Sequence, residues 1–193
     1  PELELNEDSV VVAAPDEDGD AEIYFNNRGS LQPITDNQYD DAAPHYDAAS
    51  HSIVWHALIA DRYQVFMHDI QTNETTQLTS SNSNSMEPSR HGDHIVWQEW
   101  VSNNWEIMLW EDGVVQQITS NALHDVSPDV QDGYIVWNSG HSGDERDVMV
   151  YEITSGTQAA INDADGGQVM NPRFVLVYDT KFPNGDSIPK GFD

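Results

Sequence analysis

Carboxylates alternate with other residues in the segment from Pro15 to Glu22, which reads Pro-Asp-Glu-Asp-Gly-Asp-Ala-Glu. Asp16, Asp18 and Asp20 follow the spacing of the first half of an EF-hand loop, although the glycine comes early and no distal bidentate glutamate follows. Ca²⁺ takes six to eight oxygen ligands, and closely spaced aspartates in a tight loop supply several of them. The segment, with Glu22 included, therefore predicts a calcium site. The alternative is an ordinary solvated acidic turn.

Further acidic residues lie in the polar loops that separate the repeated parts of the chain. They recur as Asp36, Asp40 and Asp41, then Glu87, then Asp125, and then Asp163 and Asp165. If the chain closes around an axis, these loops ring one mouth of a channel, where repeated carboxylates must be separated by water or neutralised by a cation. The candidate calcium ligands therefore also include Asp41, Asp125, Asp163 and Asp165.

Three tryptophans fall outside the repeated tryptophan positions described below. Trp100 and Trp105 flank the loop Val101-Ser102-Asn103-Asn104, and Trp110 lies beside the turn at Asp112-Gly113. A partly exposed aromatic cluster predicts a contact patch for a protein or polysaccharide partner. The alternative for these three residues is packing at the edge of a sheet.

Motifs for catalysis are missing from the sequence. No His-x-His, His-Glu-x-x-His or Gly-x-Ser-x-Gly pattern occurs, and no glycine-rich phosphate loop of the P-loop or dinucleotide type is present. His45, His91 and His124 fall close together in repeat phase, so an axial metal site remains an enzymatic alternative. The absence of cysteine excludes disulfides and thiolate metal sites. The residues therefore favour a non-catalytic protein.

The charge balance narrows the range of partners. The 193 residues contain 34 acids against 7 bases, which gives a net charge of −27. A chain this acidic repels phosphate backbones, so nucleic acid is not expected as a partner. It attracts cations and suits a saline or calcium-rich exterior better than cytosol. No apolar run approaches transmembrane length, so no membrane span is predicted.

An internal repeat must position all these residues. Ile-Val-Trp occurs at 53–55, 95–97 and 135–137, and the degenerate copies are Val11-Val12-Ala13 and Leu176-Val177-Tyr178. The repeat therefore has a period of about 40–45 residues, which is typical of β-propeller blades or helical-pair solenoids. No segment has helical periodicity, so the repeat is built from strands.

Each unit contains four short strands. A proline-containing segment precedes the Ile-Val-Trp strand, and a strand with Tyr24, Phe66, Met108 or Met149 follows it with the same period. A turn and a last short strand complete the unit, which is the content of a propeller blade. The sequence predicts an all-β fold, a single β-propeller domain over 1–193 with four full blades and a partial fifth. The expected units are 1–41, 42–84, 85–125, 126–168 and the partial 169–193.

The order of these motifs resembles the TolB-like (PD40-type) propeller repeat. Proline, Ile-Val-Trp, Glu-Ile-Tyr, glycine and Gln-Leu-Thr follow one another over nearly all of residues 1–180. The usual Ser-Pro-Asp-Gly turn survives only partly, at Gln131-Asp132-Gly133 and His91-Gly92-Asp93. The resemblance implies a bacterial, often exported protein. Members of the TolB-like family serve as protein-binding platforms, as domains attached to peptidases, and in one branch as pectate-oligomer lyases.

Together these features lead us to expect a non-catalytic, calcium-stabilised propeller, extracellular or periplasmic, that binds a protein or polysaccharide or assembles with itself. One alternative is a structural subunit of an extracellular fibre or surface layer, in which the partial fifth blade completes the sheet of a neighbouring copy. A second alternative is a polysaccharide lyase or hydrolase that uses the channel mouth.

Overall fold

The computed structural model describes residues 3–6, 9–27, 29–141 and 146–161, which form sixteen β-strands and no helix. Four antiparallel sheets contain four strands each, in chain order. The strands of the first two sheets are β1 Leu3–Asn6, β2 Ser9–Pro15, β3 Ala21–Asn27, β4 Gln32–Pro33, β5 Asp41–Asp47, β6 Ser52–Ile59, β7 Arg62–Asp69 and β8 Glu74–Gln77. Those of the last two are β9 Ser85–His91, β10 His94–Val101, β11 Asn104–Glu111, β12 Val114–Gln117, β13 His124–Gln131, β14 Tyr134–Gly140, β15 Asp147–Glu152 and β16 Thr157–Ile161.

The four sheets are propeller blades, named blades 1 to 4 in chain order. The first strand β9 contacts both β5 and β13, as the innermost strands of adjacent blades do. The predicted all-β propeller of four-stranded blades is therefore confirmed. The predicted partial fifth blade, 169–193, lies outside the described residues.

Hydrophobic side chains between neighbouring blades form the core. The repeated tryptophans Trp55, Trp97 and Trp137 are at most 2% exposed. Each lies in a separate cluster that contains residues of two successive blades, so there is one cluster for each of the three described blade junctions. Because a strand alternates its side chains between two faces, one blade contributes to the junctions on both of its sides.

A bulge interrupts the inner strands of blades 2, 3 and 4 next to their prolines. The pairing register shifts at Ala43, Glu87 and Ser127, the residues before Pro44, Pro88 and Pro128, and these three residues have positive φ angles of 48°, 55° and 53°. Proline has no N–H to give to the ladder, so pairing resumes only beyond the bulge.

The degenerate copy of the repeat in blade 1 is shifted by one position from its predicted place. Trp55 pairs with Phe66, and the equivalent pair in blade 1 is Val12 with Tyr24. The counterpart of Ile-Val-Trp is therefore Val10-Val11-Val12, and the predicted copy Val11-Val12-Ala13 was wrong. A shift of one position exchanges the two faces of a strand, and this valine run has no tryptophan to mark the register.

A threonine ends the outer part of blades 1 to 3. Its hydroxyl accepts the backbone N–H of a third-strand residue over 2.8–2.9 Å: Thr35 from Ile23, Thr79 from Val65 and Thr119 from Ile107. The fourth strand is too short to pair with that residue, so the side chain supplies the missing acceptor. The threonine of the repeated Gln-Leu-Thr motif therefore completes the hydrogen bonding of the third strand where the fourth strand ends.

We expect Thr79→Val to lower the free energy of unfolding by about 1–3 kcal/mol, because it leaves the buried N–H of Val65 without its acceptor. Thr76→Val is the matched control, since Thr76 is exposed on the outer strand of the same blade, and we expect its effect to stay within about 0.5 kcal/mol. Urea denaturation measures both changes. Equal stability of the two variants would contradict a role for the Thr79 hydroxyl.

Candidate functional site

Except for Trp110, the candidate residues that the structure describes gather at one end of the propeller, which we call the connector face. It carries the loops that connect successive blades, namely 34–40, 78–84 and 118–123, and the hairpin loops between second and third strands, namely 16–20, 60–61 and 102–103. The antiparallel order of the strands places both sets at the same end of each sheet. The face therefore combines the acidic loop of blade 1 with Trp100 and Trp105 of blade 3.

The buried acids Asp41 and Asp125 are acceptors for the repeated tryptophans. Trp55 Nε1 donates to Asp41 Oδ1 and Trp137 Nε1 donates to Asp125 Oδ1, both over 2.9 Å. The two aspartates are 1% and 0% exposed. In blade 3 the equivalent position is Ser85, and Trp97 instead donates to Glu99 over 3.1 Å. Each carboxylate thus satisfies an indole N–H at a blade junction.

Asn37 joins two buried acids in the first connector. Its backbone N–H donates to Glu22 Oε1 over 2.7 Å, and its amide Nδ2 donates to Glu22 Oε2 and Asp41 Oδ2 over 3.3 and 3.0 Å. Burial raises the pKa of Asp41 to about 6, the nearby charge of Glu22 adds to the rise, and hydrogen bonds from Thr35, Asn37 and Trp55 oppose it.

Glu106 occupies the position of Glu22 in blade 3. It accepts hydrogen bonds from Asn104 Nδ2 over 2.7 Å and from the Thr119 hydroxyl over 2.6 Å. Burial raises the pKa of Glu106, while these two hydrogen bonds lower it. The acid is 2% exposed, so it belongs to the scaffold under the connector face.

A second contact holds each connector to the blade before it. The residue preceding or beginning an inner strand accepts a third-strand backbone N–H over 3.1–3.3 Å: Asp40 from Ala21, Asn84 from Tyr63, and His124 Nδ1 from Trp105. Because Nδ1 of His124 is the acceptor, its imidazole ring is fixed in place next to Trp105.

The acidic loop of blade 1 folds around Asp16. Its Oδ1 accepts the backbone N–H groups of Asp18 and Gly19 over 3.0 and 3.2 Å, and its own N–H donates to the Asp20 carbonyl over 3.0 Å. Gly19 has a φ of 103°, a conformation that other residues rarely adopt. The turn brings carboxylate oxygens of Asp16, Asp18 and Asp20 within 4.8 Å of one another.

Asp20 differs from the other described candidate calcium ligands in the surroundings of its carboxylate. Both of its carboxylate oxygens are shut off from solvent and have no hydrogen-bond partner among the described residues. An ionised carboxylate buried in this way is costly unless a cation or several donors compensate it. In the part of the chain that the structure describes, Asp16, Asp18 and Asp20 are the one group whose side chains are arranged to hold a metal ion.

The other predicted calcium ligands have different surroundings. Glu22 is 1% exposed and bonded to Asn37, and Asp41 and Asp125 bind the tryptophans. Asp163 and Asp165 lie outside the described residues. The structure thus brings together three of the predicted ligands and places three others inside the scaffold.

The three candidate contact tryptophans lie in two places. Trp100 and Trp105 pair across the hairpin with ring centroids 5.3 Å apart, and Trp100 stacks on His124 at 5.8 Å. Trp100 is 38% exposed. Trp110 lies at the far end of β11 from Trp105 and packs on the hydrophobic cluster between blades 2 and 3. The patch on the connector face therefore consists of the candidates Trp100 and Trp105 together with His124, a residue that sequence spacing did not predict.

A cleft of about 430 Å³ opens beside the hairpin of blade 3. Hydroxyl and amide side chains provide most of its polar lining: Ser102, Asn103, Asn104, Gln117, Ser120 and Asn121. Its described lining contains no histidine or basic residue, and the one acid there is the hydrogen-bonded Glu106. Such a lining offers neutral hydrogen bonds to a ligand.

Six histidines each hydrogen-bond to a separate structural partner: His45, His56, His68, His91, His94 and His124. His56 is 3% exposed, and its Nδ1 accepts the N–H of Glu87, the bulged residue of the next blade, over 3.2 Å. Burial lowers the pKa of His56 to about 4. The equivalent residue Gln98 accepts the N–H of Ser127 over 2.8 Å in the same way.

The described residues contain no helix that could span a membrane.

No protein-family model and no curated protein sequence matches this chain. Its fold does match solved β-propellers. A protein assigned as TolB in Agrobacterium tumefaciens aligns over 79% of this chain and 60% of its own, with 18% identity and a TM-score of 0.65. The β-propeller domain of the Trilobed protease from Pyrococcus furiosus aligns over 86% and 52%, with 13% identity and a TM-score of 0.64. The acylaminoacyl peptidase of Pyrococcus horikoshii aligns over 86% and 27%, with 14% identity and a TM-score of 0.66.

These similarities establish the fold. The predicted resemblance to TolB-like propellers is confirmed at that level, since structures of both TolB-type and peptidase-associated propellers superpose on the chain. The chain spans 60%, 52% and 27% of the lengths of these three proteins.

We expect the contribution of His56 to the stability of the protein to fall as the pH drops from about 6.5 through about 4, because unfolding lets His56 bind a proton that burial excludes in the folded state. A depressed histidine pKa contributes stability above its unfolded value and loses it as pH falls, here by about 3 kcal/mol. His56→Gln installs the residue of blade 3, keeps an acceptor, and should remove this part of the pH dependence. Urea denaturation on both sides of this pH range measures it. Parallel pH profiles for the variant and the natural chain would contradict this assignment.

Proposed function

We propose that the chain is a non-catalytic propeller, extracellular or periplasmic, that binds a protein or polysaccharide through its connector face. The observation that carries the proposal is the exposed Trp100 on its support of Trp105 and His124. The titratable groups around it are bonded within the scaffold, so the face offers a contact surface.

The aromatic patch is rigid before any partner arrives. Trp105 binds His124 through its backbone N–H, and the indole of Trp100 stacks on the same histidine. The backbone of Trp100 is also bonded to the connector, since its N–H donates to the Asn84 carbonyl over 2.9 Å and its carbonyl accepts the Ser83 hydroxyl. A fixed, partly exposed tryptophan is a favourable anchor because little conformational entropy is lost on binding.

Charge selects among partners of this surface. A net charge of −27 favours neutral or basic partners, since like charges slow association and weaken binding. The hydroxyl and amide groups of Ser102, Asn103 and Asn121 in the cleft fit the hydroxyl groups of a neutral glycan as well as a polypeptide backbone. A uronate polymer suits this face less well.

Assembly is a second candidate function, and Asn138 favours it. Asn138 follows Trp137 as His56 and Gln98 follow their tryptophans, and those two side chains accept the bulge N–H of the next blade. The side-chain Oδ1 of Asn138 is buried without a hydrogen-bond partner among the described residues. Blade 4 thus presents an acceptor suited to a further blade, which a second copy of the chain would supply in a fibre or surface layer.

Calcium is the third part of the proposal. The three carboxylates of Asp16, Asp18 and Asp20 lie within 4.8 Å of one another, and Ca²⁺ accepts several carboxylate oxygens at once. A calcium-rich exterior would supply the ion. Neutralising part of this charge would also relieve the self-repulsion of the chain.

An enzyme is supported less well. A lyase or hydrolase at the channel mouth needs histidine and carboxylate groups that converge on a substrate. The six histidines described above instead have separate structural partners. The acylaminoacyl peptidase of Pyrococcus horikoshii is matched over 27% of its length only, so the similarity covers a minor part of that protein.

Trp100→Ala should weaken binding of the partner at least tenfold, because it removes the exposed part of the anchor. Tyr134→Ala is the matched control, since Tyr134 is 42% exposed at the opposite end of the propeller. Affinity electrophoresis on neutral and uronate polysaccharides, and pull-down of exported proteins from the source organism, compare the variants. A partner retained equally by both variants would overturn the role of the connector face, and product release from a uronate polymer would favour the lyase.

Light scattering coupled to size exclusion tests assembly, with calcium and then with EDTA. We expect oligomers larger than the 21.6 kDa chain, because the buried Oδ1 of Asn138 has no hydrogen-bond partner in the described part of the chain. Asn138→Leu should reduce their size, since it removes the acceptor while keeping the volume of the side chain. A molar mass equal to that of the single chain under both conditions would overturn assembly as a function.

A further inference from the structure

Blade 3 joins its third strand to the following connector through a nitrogen. Asn104 Nδ2 donates to the carbonyl oxygens of Asn121 and Leu123 over 2.9 and 2.8 Å, and to Glu106 Oε1 over 2.7 Å. The amide thus lies among three oxygens. The Asn104 amide donates hydrogen bonds to oxygens that would otherwise face one another without a donor.

Blade 2 uses nitrogens at the same place. Gln64 Nε2 donates to the carbonyls of Ser81 and Ser83 over 3.2 and 3.0 Å, and Arg62 Nε donates to the carbonyl of Asn82 over 3.1 Å. The strand register shows the equivalence, since Gln64 pairs with Ala57 as Glu106 pairs with Glu99. In both blades a side-chain nitrogen of the third strand therefore donates to the carbonyl groups of the connector, although the side chains differ.

Blade 1 has acids at both positions. Glu22 pairs with Ala14 and is the counterpart of Gln64 and Glu106, which makes Asp20 the counterpart of Arg62 and Asn104. Neither acid carries a side-chain nitrogen. Both carboxylate oxygens of Asp20 are buried without a partner in the described chain, where the other two blades place a guanidinium or an amide.

The hairpin of blade 1 is also longer by one position. Between the equivalent pairs Pro15–Ala21 and Trp100–Trp105, the loop of blade 1 runs over 16–20 and that of blade 3 over 101–104. The extra residue replaces a tight turn by the wider turn around Asp16, and it carries Asp18 towards Asp20. The added ligands and the unpaired carboxylate thus occur in the same blade.

We propose that a Ca²⁺ ion held by Asp16, Asp18 and Asp20 takes the place in blade 1 that a side-chain nitrogen occupies in blades 2 and 3. The inference rests on the calcium part of the proposed function and identifies Asp20 as the ligand that makes the site. The ion supplies positive charge to the buried carboxylate, as Arg62 and Asn104 supply donors to their connectors. Its dissociation constant should be on the order of 10⁻⁴ M, the range of extracellular calcium modules.

The test replaces Asp20 by the residue of blade 3. Asp20→Asn should weaken calcium binding at least tenfold, measured by calorimetric titration of the chelator-treated chain with CaCl₂. In EDTA the same variant should melt at or above the temperature of the natural chain, because an amide no longer needs the ion. Asp61→Asn removes the same charge from the exposed hairpin of blade 2 and should leave both quantities unchanged.

A second variant guards against misfolding of the first. Asp18 is exposed, so Asp18→Asn should weaken calcium binding and leave the melting temperature in EDTA unchanged. Calcium binding by Asp20→Asn within twofold of the natural chain would overturn the inference and leave calcium bound elsewhere. A natural chain that neither binds Ca²⁺ nor melts higher with it would overturn the calcium part as well. Neither result touches the partner role of Trp100, which its own binding assay decides.

Discussion

The structure depends on how each blade satisfies polar backbone groups that no strand reaches. Proline in the inner strands of blades 2 to 4 is accompanied by a bulge, and in blades 3 and 4 the bulged residue has an N–H that faces the preceding blade. His56 and Gln98 accept that N–H across two successive junctions, while threonine hydroxyls accept the N–H groups beyond the short outer strands. A buried backbone group without a partner is costly, so these contacts fix both the register within a blade and the fit between blades.

The same constraint explains why the fold tolerates several buried acidic side chains. The innermost acids are acceptors in a scaffold that has indole, amide and hydroxyl donors at fixed places. Asp41 and Asp125 accept indole N–H groups, and Glu106 accepts an amide and a hydroxyl. Their burial is therefore compensated without a basic partner. The raised pKa of Asp41 and of Glu106 shows that the compensation is incomplete.

The repeat made the architecture predictable. The prediction of sites was limited because equivalent positions of different blades carry side chains with different roles. Ile-Val-Trp marked three blades because tryptophan labels a face, whereas the valines of blade 1 allowed a slip of one position. Trp55 and Trp137 each follow an acid at a similar separation along the chain, which was a signal for the indole contacts. Ser85 breaks that pattern in blade 3, where Glu99 on the neighbouring strand takes over. The position of Trp110 beside the turn at Asp112-Gly113 already separated it from Trp100 and Trp105, whereas sequence spacing does not show that its side chain packs at the junction between blades 2 and 3.

Departures from the repeat are more informative than the repeat itself. A position that carries a nitrogen donor in two blades carries a carboxylate in a third, where both oxygens are buried without a described partner, and a bound cation would compensate that burial. A position that accepts the N–H of the next blade at two junctions and lacks a described partner at the third marks where another surface belongs. Asp20 and Asn138 are these two departures. Asp20 lies in the first blade and Asn138 in the last described blade, so each departure lies at one end of the described array of blades.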